Sequence, residues 1–233
     1  AVAVSTERLA EFGEAAVFVN VNFDALERTA TAHGFAPADG VLFDLGLSSR
    51  QLDEEDRGFS FRRSGRLDMR FAGTGEPTAG QIVNEWPEEE IADLIYELGE
   101  ERRSRRIARG ILAARPLHDA RDLADVVGRS SGYPRGRTHP ATRTFQALRM
   151  AVNHELESLR AGLEQAMLVL RLGGRLVTIA YHSLEDREVK RFIAASGGAL
   201  RAVHKRVMKP TKDEVVRNRR SRSAKLRVAE RSK

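Results

Sequence analysis

A chain of 233 residues, 41% hydrophobic and 31% charged, has room for one large domain or one domain carrying an insertion. No apolar run approaches the roughly 18 residues of a membrane span, and no secretory segment is read at its start, so a cytoplasmic location is expected. The absence of cysteine excludes disulfides, thiolate catalysis and cysteine-ligated zinc or iron–sulfur chemistry together.

The net charge of +6 is unevenly placed. Residues 201–233 hold 13 Lys and Arg against 3 Asp and Glu, a local +10, which leaves the first 200 residues at −4. Such a segment is either a solvated surface or the partner of a polyanion, whose condensed counterions each bound Lys or Arg would release.

In chain order, Val4, Leu9 and Phe12 predict a helix over Ala1 to Phe12 that stops at Gly13. Val17 to Val21 is β-branched and predicts a strand, followed by a loop at Asn22-Phe23-Asp24. Ala25 to His33 reads as a helix, Pro37 to Gly40 as a turn, and Val41 to Phe43 as a second strand. Strand, helix and strand with short connections predict a right-handed parallel crossover.

The second strand ends in Asp44-Leu45-Gly46-Leu47-Ser48-Ser49, a carboxylate, a glycine and two hydroxyls. In open α/β sheets the ligand crevice lies outside such strand ends, which makes Asp44 the candidate for chemistry. Capping of the following turn is the alternative use of an aspartate there.

Residues 77–138 read as a helical insertion. Pro87 suits a first helical turn with Glu88, Glu89 and Glu90 at the positive dipole end, and Ile91, Leu94, Ile95 and Leu98 form a stripe that Gly99 stops. Glu100 to Ala114 and Leu117 to Val127 supply two more helices. From Pro140 a helix resumes through Leu159 and bends before Leu163, and Gly173-Gly174 ends it. Arg175 to Ala180 then predicts a buried strand, closed by Tyr181-His182-Ser183-Leu184-Glu185-Asp186-Arg187, which repeats the polar strand ending at Asp44. Val189 to Ala195 is a helix, and Leu200 to Met208 with Ala224 to Ala229 predict an antiparallel pair at the sheet edge.

A Ser/His/Asp hydrolase lacks its G-x-S-x-G elbow here, and no paired-ligand spacing supports a metal site built from Asp44, His182, Glu185 and Asp186. The P-loop and dinucleotide fingerprints are also missing.

Several blocks together are more specific. Phe43 to Asp53, Arg57-Gly58-Phe59-Ser60-Phe61 with Leu67-Asp68-Met69-Arg70, His139 to Arg149, His182 to Arg187, and Ser221 to Arg227 closely resemble the ribosomal RNA small-subunit cytosine-N4 methyltransferase family (RsmH, also called MraW). The resemblance implies an α/β, Rossmann-like class I sheet that uses S-adenosylmethionine, with methyltransferase domain at 1–76 and 139–233 and an all-helical RNA-recognition insertion at 77–138. It implies N4-methylation of a cytidine in the decoding centre of 16S rRNA, the small ribosomal subunit as partner, and no metal or membrane. Position by position, Asp44 and Gln51 match cofactor-contacting residues, Phe23 matches a third, and the rest of the Ser48 to Arg70 loop matches the wall between cofactor and target base.

The same chemistry makes Asp44, as the catalytic residue, and the backbone around Leu45 and Gly46 the candidate acceptors of an N–H bond from the target amine, which would aim the nitrogen lone pair at the transferred methyl. Phe59 and Phe61 are the nearest aromatics for stacking a splayed base, with core packing as their alternative use. Arg50, Arg66 and Arg219 stand where the family usually has proline, and Tyr181 where it usually has phenylalanine. Family members also carry a strand, a glycine-rich loop, a helix and a second strand that the resemblance places before Ala1. A sheet without these first strands is expected to bind cofactor weakly or not at all, so a noncatalytic RNA-binding or ribosome-interaction fragment is the second expectation.

Overall fold

A computed structural model describes residues 2–48, 55–61, 64–71, 77–132 and 139–233. In chain order, α1 (Val2–Arg8) and a 3-10 turn precede α2 (Leu26–Ala32) and strand β1 (Ala38–Asp44). Five helices follow: α3 (Ala79–Glu85), α4 (Glu88–Gly99), α5 (Ser104–Ala113), α6 (Ala120–Ser131) and α7 (Thr142–Val152). Helix α8 (Glu155–Val169) leads into β2 (Leu170–Ala180), and α9 (Ser183–Ala195), β3 (Leu200–Ala202), α10 (Lys212–Arg217) and β4 (Lys225–Arg231) complete the chain. These elements form two compact units, residues 1–46 with 156–233 and residues 47–155.

The first unit is an α/β sheet of order β1-β2-β4-β3. β1 and β2 run parallel, with Val41 opposite Leu176 and Asp44 opposite Ile179, while β4 is antiparallel to both β2 and β3. Parallel strands need a long crossover, and here the crossover contains the whole helical unit. One sheet face carries Val41, Phe43, Leu176 and Ala229 into a core closed by Leu159 and Leu163 of α8 and Val189 of α9. The opposite face carries Leu42, which is 62% exposed, with half-buried Val177, Ile179 and Val228. Among the described residues, β1 has no strand neighbour on its outer edge.

Several predicted elements are corrected in this unit. Val17 to Val21 is not a strand, and Val17, Val19 and Val21 are exposed. β-branched side chains favour extended backbone, but a strand also needs a neighbour for its N–H and C=O groups, and among the described residues β1 pairs with β2 alone. Gly173 and Gly174 do not separate helix from strand: β2 starts at Leu170 and passes through them, with a register shift between Ala38 and Gly40 on the partner strand. β3 is three residues long, and its continuation touches β4 only through Val203 and an isolated bridge between Met208 and Leu226. The first helix ends at Arg8, and Gly13 lies inside the following 3-10 turn.

The second unit is helical, and its core is larger than the predicted insertion of residues 77–138. Ile82, Ile91, Ile95, Ile107, Ile111 and Leu123 pack together with Phe59, Leu67 and Met69 before the insertion and Phe145 and Leu148 after it. The heptad-like stripes explain the helices, and local signals fix their starts. Thr78 caps α3 through a reciprocal bond pair with Gln81, and Asp119 caps α6 by accepting from the N–H groups of Arg121 and Asp122.

Two ends differ from expectation. The left-handed residue that closes α4 is Glu100, at φ 49°. Gly99 has another use, because a Cβ there would lie 2.8 Å from the carbonyl oxygen of Arg143 on α7. Helix α7 breaks at Asn153-His154, earlier than predicted, with His154 at φ 47°.

Candidate active site

The carboxyl ends of β1 and β2 lie side by side. Asp44 is the last residue of β1 and is exposed, and the next peptide is held by the Leu45 N–H, which donates to the Ile179 carbonyl at 2.9 Å. Opposed residues of paired strands share a face. Asp44 opposes Ile179, so residue 181, two positions on, is aimed toward the Asp44 side. There the Tyr181 hydroxyl donates to Asp44 Oδ1 at 3.1 Å. Burial pushes the Tyr181 phenol above its ordinary range, and the neighbouring Asp44 carboxylate adds to that.

The rest of the second polar block builds the support for this pair. Glu185 is buried, and its Oε2 accepts from the Tyr181 N–H at 3.0 Å and the His182 N–H at 3.4 Å. His182 caps α9, its Nδ1 accepting from the Glu185 N–H at 3.4 Å. Capping accounts for Nδ1, while the buried Nε2 lies 3.0 Å from Glu185 Oε1. Asp186 makes a two-pronged ion pair with Arg227 at 2.7 and 3.1 Å, tying α9 to the terminal block on β4. Ser221 of that block is buried and donates to the Asn218 carbonyl at 2.7 Å. Blocks distant in sequence, around 44, 182 and 227, thus meet at one end of one sheet.

Phe23 lies in a 3-10 turn after the irregular 17–21 segment. Its ring packs at 5.4 Å from that of Phe43, and a Cβ on Gly162 would reach 2.5 Å from it, so α8 approaches it closely. It is half-buried. Gln51, the remaining cofactor candidate, lies outside the described residues, as does Arg50.

The other motif blocks meet in the helical unit. The Arg57 guanidinium donates to the carbonyls of Arg70 and Phe71, the latter at 3.0 Å, and sits 5.4 Å over the Phe59 ring. Gly58 at φ 71° lies so close to Arg66 that a Cβ would come within 2.1 Å of its carbonyl oxygen. Met69 is fully buried at φ 59°. A non-glycine residue holds that conformation only when its surroundings over-determine it, and here Asn153 does so. Its side chain donates to the Met69 carbonyl at 2.7 Å and accepts from the Phe71 N–H at 2.6 Å. Arg70 forms a bidentate pair with Asp68, whose carboxyl is held below its usual range chiefly by that hydrogen bond.

The two aromatics divide. Phe59 is core, and Phe61 is half-buried, stacked on His139 at 4.5 Å and edge-on to Phe145 at 5.4 Å.

The basic segment is a surface. Lys205, Arg206, Lys209, Lys212, Arg219 and Arg222 are all exposed on the β3–β4 connection. No helix among the described residues is long and apolar enough to cross a membrane.

Against this geometry, comparison with known proteins gives a consistent answer. The model of the MraW methylase family matches residues 1–232. The chain belongs to that family. Within the MraW family, it is 47% identical to the ribosomal RNA small subunit methyltransferase H of Dehalococcoides mccartyi over 99% of this chain and 71% of that protein. The protein of the same name from Thermomicrobium roseum is 50% identical over 90% of this chain and 71% of its own length, and that of a Nostoc species 47% identical over 99% and 75%. Membership agrees with the α/β, Rossmann-like methyltransferase sheet and with its polar strand ends. The Tyr181 hydroxyl, the Glu185 clamp and the Asn153 clamp escaped sequence reading. For Tyr181 the available signal was register: a hydroxyl just past the end of a strand predicted to lie beside Asp44.

Proposed function

We propose that this chain carries out S-adenosylmethionine-dependent methylation of 16S rRNA, transferring a methyl group to N4 of a cytidine in the decoding centre. The observation that carries the reading is an exposed carboxylate, Asp44, at the end of a parallel strand in a member of a methylase family. The names of the relatives, ribosomal RNA small subunit methyltransferases, support the substrate class.

The cofactor fits the groups present. Asp44 offers acceptor oxygens for N–H donors, while half-buried Phe23 packs on Phe43, the neighbour of Asp44 that faces the core. Those two would hold S-adenosylmethionine together with Gln51. When bound, it supplies an electrophilic methyl on a sulfonium. The work left to the chain is orientation. A cytosine exocyclic amine is a poor nucleophile because its lone pair is delocalised into the ring. A carboxylate oxygen of Asp44 accepting one N–H fixes the amine, offsets the positive charge that develops on N4 as it gains the methyl, and is placed to receive the proton N4 must then lose; oriented proximity contributes up to roughly 7–11 kcal/mol in favourable systems.

The exposed lysines and arginines of the β3–β4 connection serve as phosphate contacts, positioning the RNA without reading its sequence. The arginines of α5 are a second set on the helical unit.

Asp44→Ala tests the reading. Transfer of labelled methyl to 16S rRNA, with the product nucleoside identified by mass spectrometry, should fall at least about a hundredfold while folding is unchanged. Retained transfer, or a product other than N4-methylcytidine, refutes the assignment.

A further inference from the structure

We propose that Tyr181 is a positioning residue for Asp44: its hydroxyl occupies Oδ1, fixes the plane of the carboxylate and leaves Oδ2 as the oxygen presented to the target amine. This rests on the reading that Asp44 receives an N–H of that amine.

An exposed aspartate at a strand end turns freely about two side-chain bonds, and a catalytic acceptor must not. Asp44 is exposed and its side chain is the terminal one on β1, so packing does little to restrain it. The described restraint is the 3.1 Å bond from Tyr181. That donor is itself fixed at its root. The buried carboxylate of Glu185 holds the Tyr181 N–H at 3.0 Å and the next N–H at 3.4 Å, at the first turn of α9. The Tyr181 ring runs past Gly46, where a Cβ would be only 3.7 Å from ring carbon Cδ2. Ring and carboxylate are therefore set by two neighbouring strands and the helix that follows one of them.

Protonation favours the same assignment. Burial and the adjacent carboxylate both keep the phenol neutral, so across the neutral range it remains a donor. A neutral phenol donates its one proton to one oxygen, which makes the two carboxylate oxygens inequivalent. A second donor, the amine, meets the free one. No bond to carbon is made or broken by Tyr181, and no proton leaves it.

Tyr181→Phe keeps the ring over Gly46 and removes the hydroxyl alone. With 16S rRNA in small subunits as methyl acceptor, the single-turnover rate at saturating RNA and cofactor should fall about three- to tenfold, the scale of one hydrogen bond. KM for the RNA and the thermal midpoint should not move. The deciding measurement is the same change made in an Asp44→Asn background. If Tyr181 acts through the Asp44 carboxylate, the second substitution costs little more, because the effects of coupled residues are not additive. An equal loss in both backgrounds overturns the proposal and makes Tyr181 a packing residue. A Tyr181→Phe rate equal to wild type overturns it too, provided Asp44→Ala is dead. Retained transfer in Asp44→Ala instead defeats the catalytic reading beneath it.

Discussion

At the ends of β1 and β2 two motif side chains reach solvent, exposed Asp44 and half-buried Tyr181, the first held by the Tyr181 hydroxyl and the second by the Glu185 carboxylate. In the helical unit the apolar motif residues Phe59, Leu67 and Met69 are turned inward. Met69 has no exposed surface, Phe59 and Leu67 are buried, and the loop that carries them is pinned by Arg57 and Asn153. Strand ends leave side chains free of the core, so chemistry there costs the fold little. A loop folded into a helical core has its residues chosen by packing first. A sequence block in the first setting is a statement about reactivity, and in the second a statement about shape.

Substitutions should separate the two settings by their effect on stability. The largest loss is expected from Ile107→Ala, at the fully buried centre of the helical unit, about 2–5 kcal/mol in urea unfolding. Gly58→Ala follows, at roughly 2–3 kcal/mol, since the added Cβ meets a backbone oxygen and the residue is strained at positive φ. Asn153→Ala should cost about 1–3 kcal/mol by leaving the Met69 carbonyl and Phe71 N–H without their partner.

Asp68→Asn is smaller, under about 1 kcal/mol at pH 7, because its pair with Arg70 is partly solvated. Its pH dependence has a definite sign. The folded carboxyl titrates below its ordinary value, so its contribution is complete above about pH 4 and disappears as pH falls through the lowered value. Wild type and Asp68→Asn should converge in acid. The smallest stability change, within about 0.5 kcal/mol, belongs to Asp44→Ala, which is expected to have the largest effect on methyl transfer. A destabilisation of several kcal/mol there would erase the contrast between the two settings.

Much of this arrangement was legible beforehand. β1, the polar turn at Asp44, the helical run and the antiparallel β4 all follow from short apolar runs, stripes and punctuation. The failures share one cause, which is that they depend on partners distant in sequence. Val17 to Val21 has strand composition with no strand beside it among the described residues. Gly99 looks like a helix stop and instead admits α7, 44 residues later by the position of Arg143. Met69 gives no sign of its left-handed backbone, because Asn153 imposes it. At the site, Asp44 could be read from position alone, whereas its bond to Tyr181 spans 137 residues.

The outer edge of β1, with Leu42 beside it, bears on how the chain behaves in a tube. Among the described residues that edge has no strand partner, such an edge is a template for a second copy, and the charge of +6 opposes that pairing. Salt titrations of RNA affinity weaken that repulsion and phosphate binding together. Light scattering should therefore grow with ionic strength at high protein concentration, and counterion release is cleanly measured only in dilute solution.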